Sequence, residues 1–326
     1  MKKKIRRKEL LLLVGMLAVG MLTGCGETSS VTAPEKEEAD AAVAEVTTEE
    51  NDRTVEENDS SPENQDSTDQ NDFLKEEAEE AETDKLITMA DLLYESGIID
   101  TTQLPDTVLW FNATYAALTY SNGWDWHLIS GLEPTEDNIS IQKKLLRSSW
   151  SVKDRESALE TVESLITNGH RGKCQECLDE LETLGLLELD EEKFIEELMD
   201  ADLESNPARY VIAYYMYVDG IEPEYIAAFD LCRVNQLYAD YYLCGYMDYE
   251  EAMDASLENS LTLQKMYDSW EEMMDAYLLG FQFWKGDLVV TEDSPTLERY
   301  HYYEMLCDLE DNPYTLDWNM ELKKEW

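Results

Sequence analysis

Residues 267–285 read YDSWEEMMDAYLLGFQFWK, and their spacing decides the fold class. Ser269 followed three residues later by Glu272 is a helix-start pair, in which a hydroxyl accepts from a first-turn N–H and a carboxylate reaches back. Behind it Trp270, Met273, Met274, Tyr277, Phe281 and Trp284 recur at helical spacing and share one face. The same grammar extends outward. Asp248 and Glu251 start the preceding helix, and Pro223 opens an earlier one that runs to Cys244-Gly245. Asn206-Pro207 sets a cap before a proline at the first helical position. Ser294-Pro295 opens a last helix carrying Tyr302, Leu306 and Leu309. Residues 210–218 are apolar on all sides, which predicts a central position.

Further upstream, Ser151-x-x-Asp154 reads as a capping box, with Ala158, Val162, Leu165 and Ile166 on one face behind it. Gly169-His170-Arg171-Gly172 reads as a turn. Cys174, Cys177, Leu178, Leu181 and Leu184 form the next stripe, and Phe194, Ile195, Leu198 and Met199 another. Residues 86–150 are less regular, with helices expected around 89–97, 108–120 and 139–150. No alternating strand series and no fixed-length repeat appears. The expectation is an all-α, single multi-helix domain over residues 86–326.

What precedes that domain differs in kind. Residues 1–24 carry six bases and one acid around an apolar run from Leu10 to Leu22, and Leu22-Thr23-Gly24-Cys25 follows. Basic, apolar and small-residue parts in that order read as an export signal, too short to span a bilayer comfortably. The last four residues resemble a bacterial lipobox, which predicts lipidation of Cys25 and a cut before it. Residues 26–85 hold 22 acidic and four basic residues with Phe73 as their single aromatic. Such a segment cannot bury enough apolar surface to offset chain entropy, so residues 25–85 are expected to form a disordered acidic tether. The expected location is the outer face of a bacterial, Gram-positive-type cell membrane, reached through lipid.

The whole chain has 25 Lys+Arg against 73 Asp+Glu, a formal net charge of −48. That balance excludes duplex binding, which needs a basic face, and leaves room for a protein or peptide partner, one of basic character among them. No Walker loop, dinucleotide fingerprint, Gly-x-Ser-x-Gly elbow or calcium loop occurs, so no cofactor is expected.

Three constellations invite a chemical reading. Asp230 and Arg233 lie three apart on a helix with little polar face, either an arginine held for an anionic ligand or a buried structural pair. His170 and Arg171 are candidate polar residues of their turn. His170, Cys174 and Cys177 have metal-like spacing, but no second cysteine pair follows and both thiols share the apolar stripe, so no metal is expected. The five cysteines besides Cys25 form no disulfide pattern. Trp124-Asp125-Trp126-His127 is expected in a loop, there for packing more than for contact.

Leu145-Leu146-x-x-x-Trp150, Gly169-His170-Arg171, Phe229-Asp230-Leu231-x-Arg233, Gly245-Tyr246, Glu250-Glu251-Ala252, Tyr267-x-Ser269-Trp270-Glu271-Glu272, Tyr277-Leu278-Leu279-Gly280 and Phe283-Trp284 occur in that order. Together, over residues 145–285, they resemble a bacterial domain-of-unknown-function family, number 1266. The resemblance implies an α-helical domain and supplies no catalytic residues. The resulting expectation is a lipid-anchored, extracytoplasmic binding or interaction module. An enzyme with a polar site near Asp230 and Arg233, or an acidic protector against a basic toxin or peptide, stand as alternatives.

Overall fold

The computed structural model describes residues 104–201, 203, 206–288 and 294–326. The segments read as a signal and a tether, Cys25 between them, and the helix expected around 89–97 lie outside the described residues. Within them the chain is all-α: ten α-helices, three 3₁₀ turns and no strand. The helices are α1 (Asp106–Ser121), α2 (Glu136–Trp150), α3 (Arg155–Thr167), α4 (Gly169–Thr183) and α5 (Glu191–Asp200). They continue as α6 (Pro207–Val218), α7 (Ala227–Cys244), α8 (Tyr249–Met266), α9 (Trp270–Lys285) and α10 (Pro295–Asp308). No described helix is long and apolar enough to cross a membrane.

The starts follow capping chemistry. Asn206, Asp248, Ser269 and Ser294 each accept a first-turn backbone N–H, as their positions predict. One assignment shifts. Asp154, not Ser151, caps α3, and Ser157 closes the box by receiving the Asp154 N–H. Ser151 instead ends α2 in the left-handed region at φ 56. Four apolar runs also shorten. Leu184, Met199 and Ile166 stand exposed where their helices end, as do Tyr217 and Val218 in the last turn of α6.

The centre of the molecule is α7, not α6. From Ala227 to Cys244 it is buried on nearly every side and packs against α1, α2, α3, α4, α8 and α9. Gly280 lets α9 approach: a Cβ there would lie 2.5 Å from Cβ of Phe229 and 3.1 Å from the Ile226 carbonyl. Tyr267, at the α8–α9 corner, caps α7 with its hydroxyl, which accepts from Ala228 N–H and donates to the Tyr225 carbonyl, each at 2.8 Å. A tryptophan cluster closes one end. Trp110 of α1 lies 4.8 Å from Trp270 and 5.1 Å from Trp318, and the Trp318 indole donates to the Tyr267 carbonyl. A smaller core joins α4, α5 and α6 to Leu279 and Phe283 of α9, with Phe194 stacked on Tyr214 at 3.7 Å.

Trp110 is fully buried. Trp110→Ala should therefore lower the unfolding free energy by about 3–5 kcal/mol, read from urea denaturation. A loss under about 1 kcal/mol would mean that α1 is not part of the cooperative core.

Candidate functional site

The sharpest polar feature of the fold sits where α4 begins against α7. Gly169 has φ +56, and a Cβ there would meet Asp230 Oδ2 at 2.2 Å, so glycine is required by conformation and by space. That close approach lets the Asp230 carboxylate take the place of an N-cap for α4, whose own Asn168 makes no side-chain cap bond. His170 N–H donates to both oxygens, at 3.0 and 2.9 Å, and Arg171 N–H reaches Oδ2 at 3.4 Å. A negative charge at the positive end of a helix is favourable.

Side chains complete the cage. Arg233 Nη2 lies 3.2 Å from Asp230 Oδ1, and Arg171 Nη1 lies 3.3 Å from Oδ2. His170 Nδ1 is 3.0 Å from Asp230 Oδ1 and 2.9 Å from Arg233 Nη2. With its proton on Nδ1 the ring donates to Asp230; with the proton on Nε2 it accepts from Arg233. Arg171 also donates to the carbonyls of Leu165 and Ile166, closing the end of α3, and pairs with Glu224. Arg233 is held along its length: Nε donates to the Phe229 carbonyl, and its guanidinium lies 3.9 Å from the Phe229 ring and 5.2 Å from Trp150.

Burial works against the Asp230 charge, but the His170 hydrogen bond and the Arg233 charge outweigh it and hold the carboxyl below its usual range. Burial, with Arg233 adding to it, pulls His170 below its ordinary 6.5, so the ring is neutral at pH 7. Both shifts act in one direction. The stability they contribute is complete above the unfolded values and is lost as pH falls through the folded ones.

Two sequence segments sixty residues apart thus form one site, and Asp230, Arg233, His170 and Arg171 meet in it. His170 and Arg171 do not form a free turn. They are the first turn of α4, because Asp230 supplies the missing cap. Cys174 and Cys177 follow on the buried face of that helix, with Cys174 Sγ 3.9 Å from Met216 Sδ. Among the described residues no group of three or more His, Cys, Asp or Glu side chains is placed to hold a metal. All five cysteines of the described residues are unbridged. Trp126 packs into the core beside His127, whose Nδ1 lies 2.8 Å from Asp125.

Sequence reasoning missed a second buried acid. Asp240, 2% exposed and ten residues along α7, accepts from the Ser130 hydroxyl at 2.6 Å. Burial raises its pKa to about 7. Ser130 reaches it by adopting φ 63 in a short 3₁₀ turn, and Asn112 pins the same loop by donating to the carbonyls of Trp126 and Leu128. The available signal was an acid set inside a tyrosine row, Tyr238-Ala239-Asp240-Tyr241-Tyr242.

An all-helical domain built round a carboxylate-capped helix corner defines the class of protein by its architecture. The chain belongs to the family described as "Protein of unknown function (DUF1266)", whose model matches residues 145–318. The match extends past residue 285, the boundary read from motifs, through α10 to Trp318. No curated protein and no solved structure matches the chain.

Asp230→Asn leaves Arg233 without its buried counter-charge, and should cost about 3–5 kcal/mol in unfolding free energy. Asp240→Asn should act through pH instead. Because its folded pKa is raised, the stability Asp240 contributes is lost as pH rises through about 7. The contribution is complete below the unfolded value of 3.8, so the urea midpoint of the wild type should fall, relative to the variant, as pH rises from there to about 7, and then level off. Parallel profiles would refute a buried, titrating Asp240.

Proposed function

We propose that the protein is a lipid-anchored, extracytoplasmic α-helical binding module without catalytic activity. Three features of the chain support the reading. The first 24 residues have the order of an export signal and end at a lipobox-like Leu-Thr-Gly-Cys. The acidic segment that follows has the composition of a spacer. The observation that carries the non-catalytic part is the state of Asp230. Its two oxygens are enclosed by backbone and side-chain donors, it is fully buried, and its basicity is depressed. Such a carboxylate has no open direction for a substrate and little tendency to take a proton. Its chemistry is spent on positioning α4.

In this reading Cys25 carries a diacylglycerol, whose two hydrophobic chains give stable anchoring where one would not. The acidic domain is displayed to partners of basic character, and association with them weakens with salt.

Expressed in its bacterial host, the wild-type chain should partition with membranes and incorporate radiolabelled palmitate. Cys25→Ala should do neither while keeping helical circular dichroism. Label retained by the variant would overturn the anchor. A substrate turnover abolished by Arg233→Lys in a protein that still folds would overturn the non-catalytic part.

A further inference from the structure

A cavity of about 260 Å³ lies between α1, α7, α9 and α10, with Arg233 in its wall. Its charge inverts that of the chain. Overall there are nearly three acids for each base, yet the cavity is lined by Arg233, Lys285 and Arg299 with Glu298 as the single acid among the described lining residues. Glu298 is exposed and accepts from the Tyr302 hydroxyl at 3.0 Å. The remaining wall is apolar and largely aromatic, with Phe281 and Trp284 prominent.

The cations are arrayed on those rings. Lys285 Nζ lies 3.9 Å from the Trp284 ring centre, and the Arg299 guanidinium lies 5.1 Å from that of Phe281. Arg299 Nη1 is enclosed and has no hydrogen-bond partner among the described residues. Arg299 also lines the cavity, and the part of its guanidinium that faces it offers charged donors to an oxyanion. Arg233 is held in place by Asp230 and the Phe229 carbonyl, so one wall is preorganised by the α4 corner.

We infer that this cavity is a binding site for a small organic anion: an oxyanion head, carboxylate or phosphate, on a compact aromatic or apolar body. The head meets Arg299, with Lys285 and Arg233 supplying positive potential. The body stacks on Phe281 and Trp284. The volume suits a ligand of about one ring, at the lower edge of small-molecule sites. The inference is independent of both anchoring and catalysis, since a substrate would occupy the same space as a ligand.

The full chain, purified in detergent, would be titrated with benzoate and with phenyl phosphate by calorimetry and tryptophan fluorescence. Benzyl alcohol and inorganic phosphate are the comparators. Saturable binding of at least one organic anion, tighter than either comparator, is expected, and the stronger of the two identifies the head group. Arg299→Gln should weaken it roughly ten-fold or more with an unchanged thermal midpoint, the loss of one charge-assisted hydrogen bond. Lys285→Gln serves the same purpose should the first variant fold poorly. Leu118→Trp, which fills the cavity without altering charge, should abolish binding. Failure of both anions to bind the wild type, equal binding of either comparator, or binding unaffected by these variants would overturn the inference.

Discussion

One carboxylate, Asp230, holds the corner on which the rest of the domain is hung. A helix that starts inside a protein leaves backbone N–H groups that water cannot reach, and something must accept them. α4 starts against the buried helix α7, so its acceptor has to come from α7 itself. Burying that acceptor's charge is costly, and the cost is offset because His170, Arg171 and Arg233 converge on it together with backbone donors. The arrangement orients α4, and through it α5 and α6, whose separate core rests on Leu279 and Phe283 of α9.

The same economy recurs in neutral form at other joints. Tyr267 caps α7 from the α8–α9 corner, and Ser130 and Asn112 tie the long loop after α1 to the centre. Several joints use residues outside the family match. Trp110 packs between Trp270 and Trp318, yet α1 precedes residue 145. In this chain the family domain is therefore completed by a helix that lies before it in sequence. α1 also supplies Leu118, so the cavity wall is shared between the matched and unmatched parts.

Much of the fold was legible because its helices announce themselves locally. Asn206-Pro207, Asp248, Ser269 and Ser294 are caps whose chemistry is complete within four residues, and the stripe from Trp270 to Phe281 is buried as its spacing requires. The α4 start was misread because its cap lies sixty residues away. No local pattern can reveal a helix whose first N–H groups are answered from another helix. Asp230 and Arg233 stood out as charges on an apolar helix, and His170 as a polar residue in a glycine-rich stretch. That they form one cluster is tertiary information. Asp240 was passed over for a related reason. Its partner, Ser130, sits in an irregular loop, and its neighbours in sequence are tyrosines, not a second charge.

The cysteines have a consequence of another kind. Cys174, Cys177, Cys232 and Cys244 are buried singly, without bridges, and burial pushes the Cys174 and Cys177 thiols up to about 12. A thiol so rarely ionised is a poor nucleophile and reacts slowly with disulfides or oxidants. The domain therefore owes none of its stability to the redox potential of its surroundings. Among the described residues the core is held by packing and hydrogen bonds, which a reductant leaves intact.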